Sequence, residues 1–195
     1  MTMRTALVLA AALAVPVLLA PAAAEGVLPR RAFVQGDSLG EGTAPYLGSS
    51  LPRWRLREDV DVSRHVQEGV DLIRAQGSAL EPVVVVQLGT NDDPRFVSGF
   101  RSLVDEALAA AGPDRCVIWV NIVRPPAVGA SYDGYNRVLA ATAAGNANFR
   151  VVDWVRMVRL HPWWLAPDGV HVSIGGYRAR ARAIAGAMSQ CRRSM

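Results

Sequence analysis

Ser38 stands in Gly36-Asp37-Ser38-Leu39-Gly40, Asn91 in Gly89-Thr90-Asn91-Asp92, and Asp168 precedes His171 by three residues in Asp168-Gly169-Val170-His171. A serine hydroxyl is a poor nucleophile until a neighbouring base takes its proton. An imidazole is such a base, and a carboxylate beside it fixes its tautomer and stabilises the imidazolium that forms. Three-residue spacing in a loop lets Asp168 reach one ring nitrogen of His171 while the other faces Ser38. The same chemistry needs donors for an oxyanion, each worth about 3 kcal/mol of barrier. The backbone N–H of Ser38 and the side-chain amide of Asn91 are candidates. Singly, each residue has a plainer reading: Ser38 as a cap, Asp168-Gly169 and Asn91 as turn formers, His171 as a surface residue. Jointly they are the parts of an acyl-transfer site.

Such residues must be brought together by the elements that carry them. Residues 32–35 and, more weakly, 54–56 read as strands, and 66–75 as a helix with Val66, Val70 and Ile73 on one face. Pro82 opens the strongest strand, 83–88, whose nearly unbroken apolar run suits burial on both faces. Helices are expected over 96–111, 132–144 and 174–190, and strands over 116–122 and 149–152. Strands alternating with helices imply a parallel sheet covered on both sides. In such sheets ligands lie beyond the carboxyl ends of the strands, where Ser38, Asn91 and the Asp168/His171 loop all fall.

The three blocks, in this order, resemble the SGNH (GDSL) hydrolase superfamily across essentially all of the chain from Glu25 onward. Ser38 matches its nucleophile block, Asn91 its asparagine block, and Asp168 with His171 its terminal Asp-x-x-His block. The runs 117–121 and 151–154, together with His161-Pro162, are similar to the SGNH domains of peptidoglycan O-acetyltransferases. The resemblance implies a three-layer α/β/α sandwich with a central parallel, flavodoxin-like sheet. It implies a catalytic Ser38, His171 and Asp168, and an oxyanion hole of Ser38, Asn91 and a third backbone N–H from a glycine block. Here Val62-Ser63-Arg64 stands where Val-Gly-Arg is expected, so that role is carried to Ser63. Gly69 is set aside because a helical bond would consume its N–H. Asp37 is read as bracing the nucleophile's loop and Asp92 as holding the Asn91 turn. Trp163 and Trp164 are left out of the catalytic set. His65 and His161 lack a carboxylate at comparable spacing and read as structural or surface residues.

Residues 1–24 read as a secretory signal peptide, with Arg4 before the apolar stretch 6–19 and Ala22-Ala23-Ala24 at the cleavage site. A membrane anchor fits less well, because Pro16 and Pro21 interrupt the run. The remaining 171 or so residues suffice for one domain, 25–195, secreted or held in the cell envelope. The net charge is +4, +3 without Arg4, and every basic residue is arginine. Arg178, Arg180 and Arg182 alternate around a helix and read as a solvated face, not as a nucleic-acid patch. Cys116 and Cys191 are the only cysteines. An oxidising compartment would join them, tying a central strand to the last helix, and two buried thiols are the alternative. They do not make a metal site, and no cofactor is expected.

Gly36-x-Ser38-x-Gly40 also satisfies the nucleophile elbow of α/β-hydrolases. That fold places several strands before its elbow and puts the acid on a separate loop, which this order does not. The reading is therefore a secreted serine esterase acting on short-chain, acetyl-type esters of a small molecule or carbohydrate. It is expected as a monomer without stable membrane insertion or nucleic-acid binding. The alternatives are an O-acyltransferase on cell-wall carbohydrate and a non-catalytic binding module on the same fold.

Overall fold

The computed structural model describes residues 30–191, so the proposed signal peptide lies outside the described residues. Five parallel strands form the centre: β1 (Arg30–Gly36), β2 (Trp54–Val60), β3 (Val83–Gln87), β4 (Cys116–Val120) and β5 (Phe149–Val152). Their spatial order is β2-β1-β3-β4-β5. Every residue of β3 and β4 is buried, whereas β2 at one edge is nowhere fully buried. The continuous apolar run of residues 83–86 follows from that central place, since both faces are covered.

Helices α2 (Val66–Gln76), α3 (Val97–Ala111) and α4 (Asp133–Gly145) cover one face; α1 (Ser38–Ser50), α5 (Trp154–Leu160) and α6 (Ile174–Cys191) cover the other. The side-chain alternation of the strands divides the core between them. Phe33, Val84 and Val86 pack with Val70, Phe100 and Leu139, while Val34, Val83 and Val85 pack with Leu47, Ile184 and Met188. Full burial of each such side chain is worth about 1.5–3 kcal/mol. Cys116 and Cys191 are disulfide-bonded with their Cα atoms 5.8 Å apart, joining β4 to the end of α6.

The expected three-layer α/β/α arrangement is observed, with two helices and most of one strand beyond the sequence-based expectations. α1 contains Gly40, Gly42, Pro45 and Gly48, poor helix formers that mask it. Tertiary packing overrides that propensity: a Cβ on Gly42 would lie 2.3 Å from the Tyr177 ring of α6, so the small residue is what lets the helices meet. α5 begins at Trp154, the last residue of the run 151–154 that reads as strand-like. The side chain of Asp153 caps it by accepting from the Arg156 N–H. β2 runs seven residues rather than three, because β1 supplies a register partner for each of them. Arg180 corrects the reading of 178–182 as a solvated face: it is 2% exposed, whereas Arg178 and Arg182 are exposed.

Candidate active site

β1 and β3 are adjacent, yet the chain leaves them in opposite directions, to β2 on one side and β4 on the other. That switch point opens a crevice at their carboxyl ends. One residue separates β1 from α1. Asp37 occupies it as the helix cap, its Oδ1 accepting from the Leu39 N–H at 2.9 Å and its own N–H donating to the Gln87 carbonyl at 3.2 Å. Ser38 is thereby the first residue of α1, where its N–H has no helical acceptor and the dipole favours negative charge.

Across the crevice, the β3–α3 loop turns at Gly89, whose φ of +115° only glycine adopts readily. Asn91 follows, with Nδ2 donating to the Arg64 carbonyl at 3.3 Å. Asp92 reaches the first N–H of α2, accepting from Val66 at 3.2 and 3.3 Å, and faces His65 Nδ1 at 3.4 Å. It therefore clamps the loop to the start of α2, a wider role than holding the Asn91 turn.

The third segment precedes α6. Leu165 bridges Val172, the Ala166 N–H donates to the His171 carbonyl at 2.8 Å, and Gly169 turns the chain with φ +68°. Asp168 Oδ1 accepts from the N–H groups of Val170 and His171 at 2.9 and 3.0 Å. Its Oδ2 lies 2.7 Å from His171 Nδ1, and His171 Nε2 lies 3.0 Å from Ser38 Oγ. The His171 hydrogen bond, aided by the Val170 N–H, holds the Asp168 carboxyl down at about 2. An ionised Asp168 fixes the proton on Nδ1, leaving Nε2 to accept from the Ser38 hydroxyl. The line can pass a proton from hydroxyl to imidazole.

Ser38, Asn91, Asp168 and His171 open onto one cavity of about 370 Å³, walled on its far side by Arg124, Pro125, Pro126 and Ala127. No motif marks this wall; its place beyond the carboxyl end of β4 is the signal that could have found it. Ser63 does not line the cavity. Its φ of +65° is a left-handed conformation that favours glycine, at the position where the resemblance expects one. Its N–H has no hydrogen-bond partner among the described residues. Gly69 donates to the His65 carbonyl inside α2, as expected. Among the described residues, no three His, Cys, Asp or Glu side chains gather to hold a metal ion.

No family model matches the chain. Six curated Staphylococcus aureus proteins, provisionally named as O-acetyltransferases, are similar in sequence. One from strain COL is 30% identical over 148 residues, 74% of this chain and 22% of the relative. The chain thus spans about a fifth of the length of these relatives. The C-terminal catalytic domain of Streptococcus pneumoniae peptidoglycan O-acetyltransferase A superposes with a TM-score of 0.71 at 18% identity, over 84% of this chain and 95% of that one. A Clostridium thermocellum family 3 carbohydrate esterase superposes at 0.66 and 15% identity, over 84% and 98%. A Veillonella parvula member of the lipolytic G-D-S-L family does so at 0.63 and 16%, over 81% and 96%. The chain carries the SGNH (GDSL) hydrolase fold.

Around the crevice of this SGNH fold, the tryptophans divide. Trp164 stacks between Trp154 and His161, with centroids 5.6 and 4.1 Å away, and so packs the base of the Asp168 loop. Trp163 is 69% exposed and meets only the edge of His161. No helix of the SGNH fold, among the described residues, is long and apolar enough to cross a membrane.

Proposed function

We propose that this chain is a serine ester hydrolase for short, acetyl-type acyl esters, working through an acyl-Ser38 intermediate. The observation that carries the reading is the hydrogen-bonded line from Ser38 Oγ through His171 to Asp168, with steps of 3.0 and 2.7 Å. Ser38 Oγ attacks the acyl carbon as His171 Nε2 takes the hydroxyl proton, and the carbonyl electron pair moves onto oxygen. The N–H of Ser38 and the amide of Asn91, both on residues that line the cavity, are the donors we assign to that oxyanion, and the unpartnered N–H of Ser63, outside that lining, is assigned as the third. Collapse breaks the bond to the leaving alcohol, which takes the proton from His171. Water then gives its proton to His171 and attacks the acyl-enzyme; a second collapse frees the acid and restores Ser38. Asp168 stays ionised throughout and holds the imidazole. No cofactor enters either half of this cycle.

The cavity of about 370 Å³ suits a short acyl group with one sugar-sized alcohol. Residues 25–195 are read as one monomeric domain delivered beyond the cytoplasm by segment 1–24, into the medium or the cell envelope. The disulfide supports an oxidising compartment. Similarity to proteins named as O-acetyltransferases favours a second reading, in which a carbohydrate hydroxyl replaces water as acceptor. The same acyl-Ser38 serves both. A non-catalytic binding module has no use for an activated hydroxyl.

Hydrolysis of p-nitrophenyl acetate by the wild type and by Ser38→Ala tests the reading. We expect turnover that falls at least about 10⁴-fold in the variant. Equal rates in the two proteins, or none in a folded wild type, sink the hydrolase reading. Adding an oligosaccharide and following acetylated product by mass spectrometry separates transfer from hydrolysis.

A further inference from the structure

Arg124 lines the Ser38 cavity and also a second one of about 280 Å³, whose walls include Val123, Tyr132, Asp133, Val158 and Arg159. Two arginines from different segments therefore border one cavity, which shares Arg124 with the cavity of the reactive serine. Arg124 is held in place: one terminal nitrogen donates to the Thr90 carbonyl, and the group lies 6.0 Å from the Tyr132 ring centroid. The Tyr132 hydroxyl donates to that same carbonyl at 3.1 Å, fixing the ring that Arg124 faces. The other guanidinium nitrogens of Arg124, and all three of Arg159, have no partner among the described residues.

The neighbouring carboxylates neutralise this pair only in part. Asp168 is engaged by His171, and Asp133 sits in the first turn of α4, accepting from Ser131 Oγ at 3.0 Å. Two arginines and one aspartate leave a single positive charge in the second cavity, on a wall otherwise largely of Ile122, Val123, Val155 and Val158. A rigid guanidinium fork pairs with a planar carboxylate through two parallel N–H···O bonds. A single excess charge matches a monoanion better than a dianionic phosphate.

We propose that this second cavity is a subsite for a carboxylate-bearing group of the ester substrate. The substrate class is an O-acylated acidic sugar, its acyl group at Ser38 and its carboxylate between Arg124 and Arg159. The inference rests on the esterase reading of the adjoining site, so its test separates the two.

An O-acetylated hexuronic acid and its methyl ester differ in charge and little else. The wild type should favour the acid by about tenfold in kcat/KM, expressed in KM and weakened by salt. Arg124→Gln and Arg159→Gln should each bring that ratio towards one; because it is a ratio, a general loss of activity cancels. Equal kcat/KM for the two esters in the wild type, or a ratio that either variant leaves unchanged, overturns the subsite.

Binding is read apart from catalysis by titrating Ser38→Ala with glucuronate and with its methyl ester. Saturable binding of glucuronate that the added Arg159→Gln change removes upholds the subsite, even if no ester is cleaved and the hydrolase reading falls. Equal binding of the two overturns the subsite, while turnover of p-nitrophenyl acetate still stands for the hydrolase.

Discussion

Arg180 of α6 donates through Nε to Gln87 Oε1 at the end of β3, 3.1 Å away, where each residue is 2% exposed. The guanidinium also lies 5.3 Å from the Trp154 ring centroid. Burial pulls Arg180 down to about 10, so it is charged at neutral pH, and its field opposes the burial that pushes the neighbouring Asp37 carboxyl up. Asp37 itself caps the helix that begins with Ser38. A positive charge thus lies under the nucleophile's loop and offsets the buried carboxylate there.

The two charges interact through space and not by a hydrogen bond, for Asp37 Oδ2 and Arg180 Nη1 are each buried without a partner among the described residues, so removing one leaves the other less compensated. Asp37→Asn keeps the cap, and Arg180→Met keeps most of the volume against Trp154, so each loss reads the charge. In urea unfolding we expect each single variant to lose about 1–3 kcal/mol, and the double variant to lose clearly less than the sum. Additive losses would show that the two charges do not couple.

Asp168 makes a statement about pH. Its folded value of about 2 lies below the ordinary 3.8, so its contribution to stability is complete above about pH 4 and fades as pH falls towards 2. The stability difference between wild type and Asp168→Asn should shrink as pH falls between about 4 and 2. A gap that persists at pH 2 would place the effect outside this carboxyl. At neutral pH the same variant should lose about 10⁴-fold in kcat, because the amide favours the wrong tautomer of His171.

The assigned oxyanion donors differ in what they risk. Asn91→Ala should lower kcat by about 10²–10³ with little change in KM. Ser63→Pro removes an N–H and cannot adopt φ +65°, so kcat should fall with stability. Ser63→Gly should instead raise stability by about 1 kcal/mol by relieving the left-handed backbone. A folded Ser63→Pro protein with wild-type kcat would end the assignment.

Two glycines of α1 should respond oppositely to alanine. Gly48 has nothing within 4 Å of a built Cβ, so Gly48→Ala should gain about 0.5–1 kcal/mol of helix propensity. On Gly42 the Cβ would meet Tyr177 ring atoms at 2.3 Å, so either the Tyr177 ring must swing aside or α1 must shift from α6. We expect a loss of about 1–3 kcal/mol in thermal unfolding and, because Ser38 rides on α1, a lower kcat. Matching shifts in the two variants would mean that packing against α6 does not set the helix.

Local pattern was enough for much of this. The unbroken valines of 83–86 mark a strand buried on both faces, and the spacing of Val66, Val70 and Ile73 marks α2, because those periodicities are properties of the chain itself. The residue types at 38, 91, 168 and 171 named a chemistry before any contact was known. α1 was not legible, since its glycines read as loop until Tyr177 is placed against Gly42. The burial of Arg180 was hidden for a similar reason: its partners Gln87, Trp154 and Asp37 belong to three other segments.

By itself, then, the sequence determined the elements with strong periodicity, the pairing of Asp168 with His171 three residues apart, and the chemical kinds of group available. Only the tertiary structure decided which of these meet. The 3.0 Å contact between Ser38 and His171 spans 133 residues of chain, and the cavity wall at Arg124 comes from a loop no motif marks. Periodicity is encoded within a few residues, whereas convergence depends on strand order and on close approaches such as Gly42 to Tyr177. Those exist only once the sheet has closed its layers.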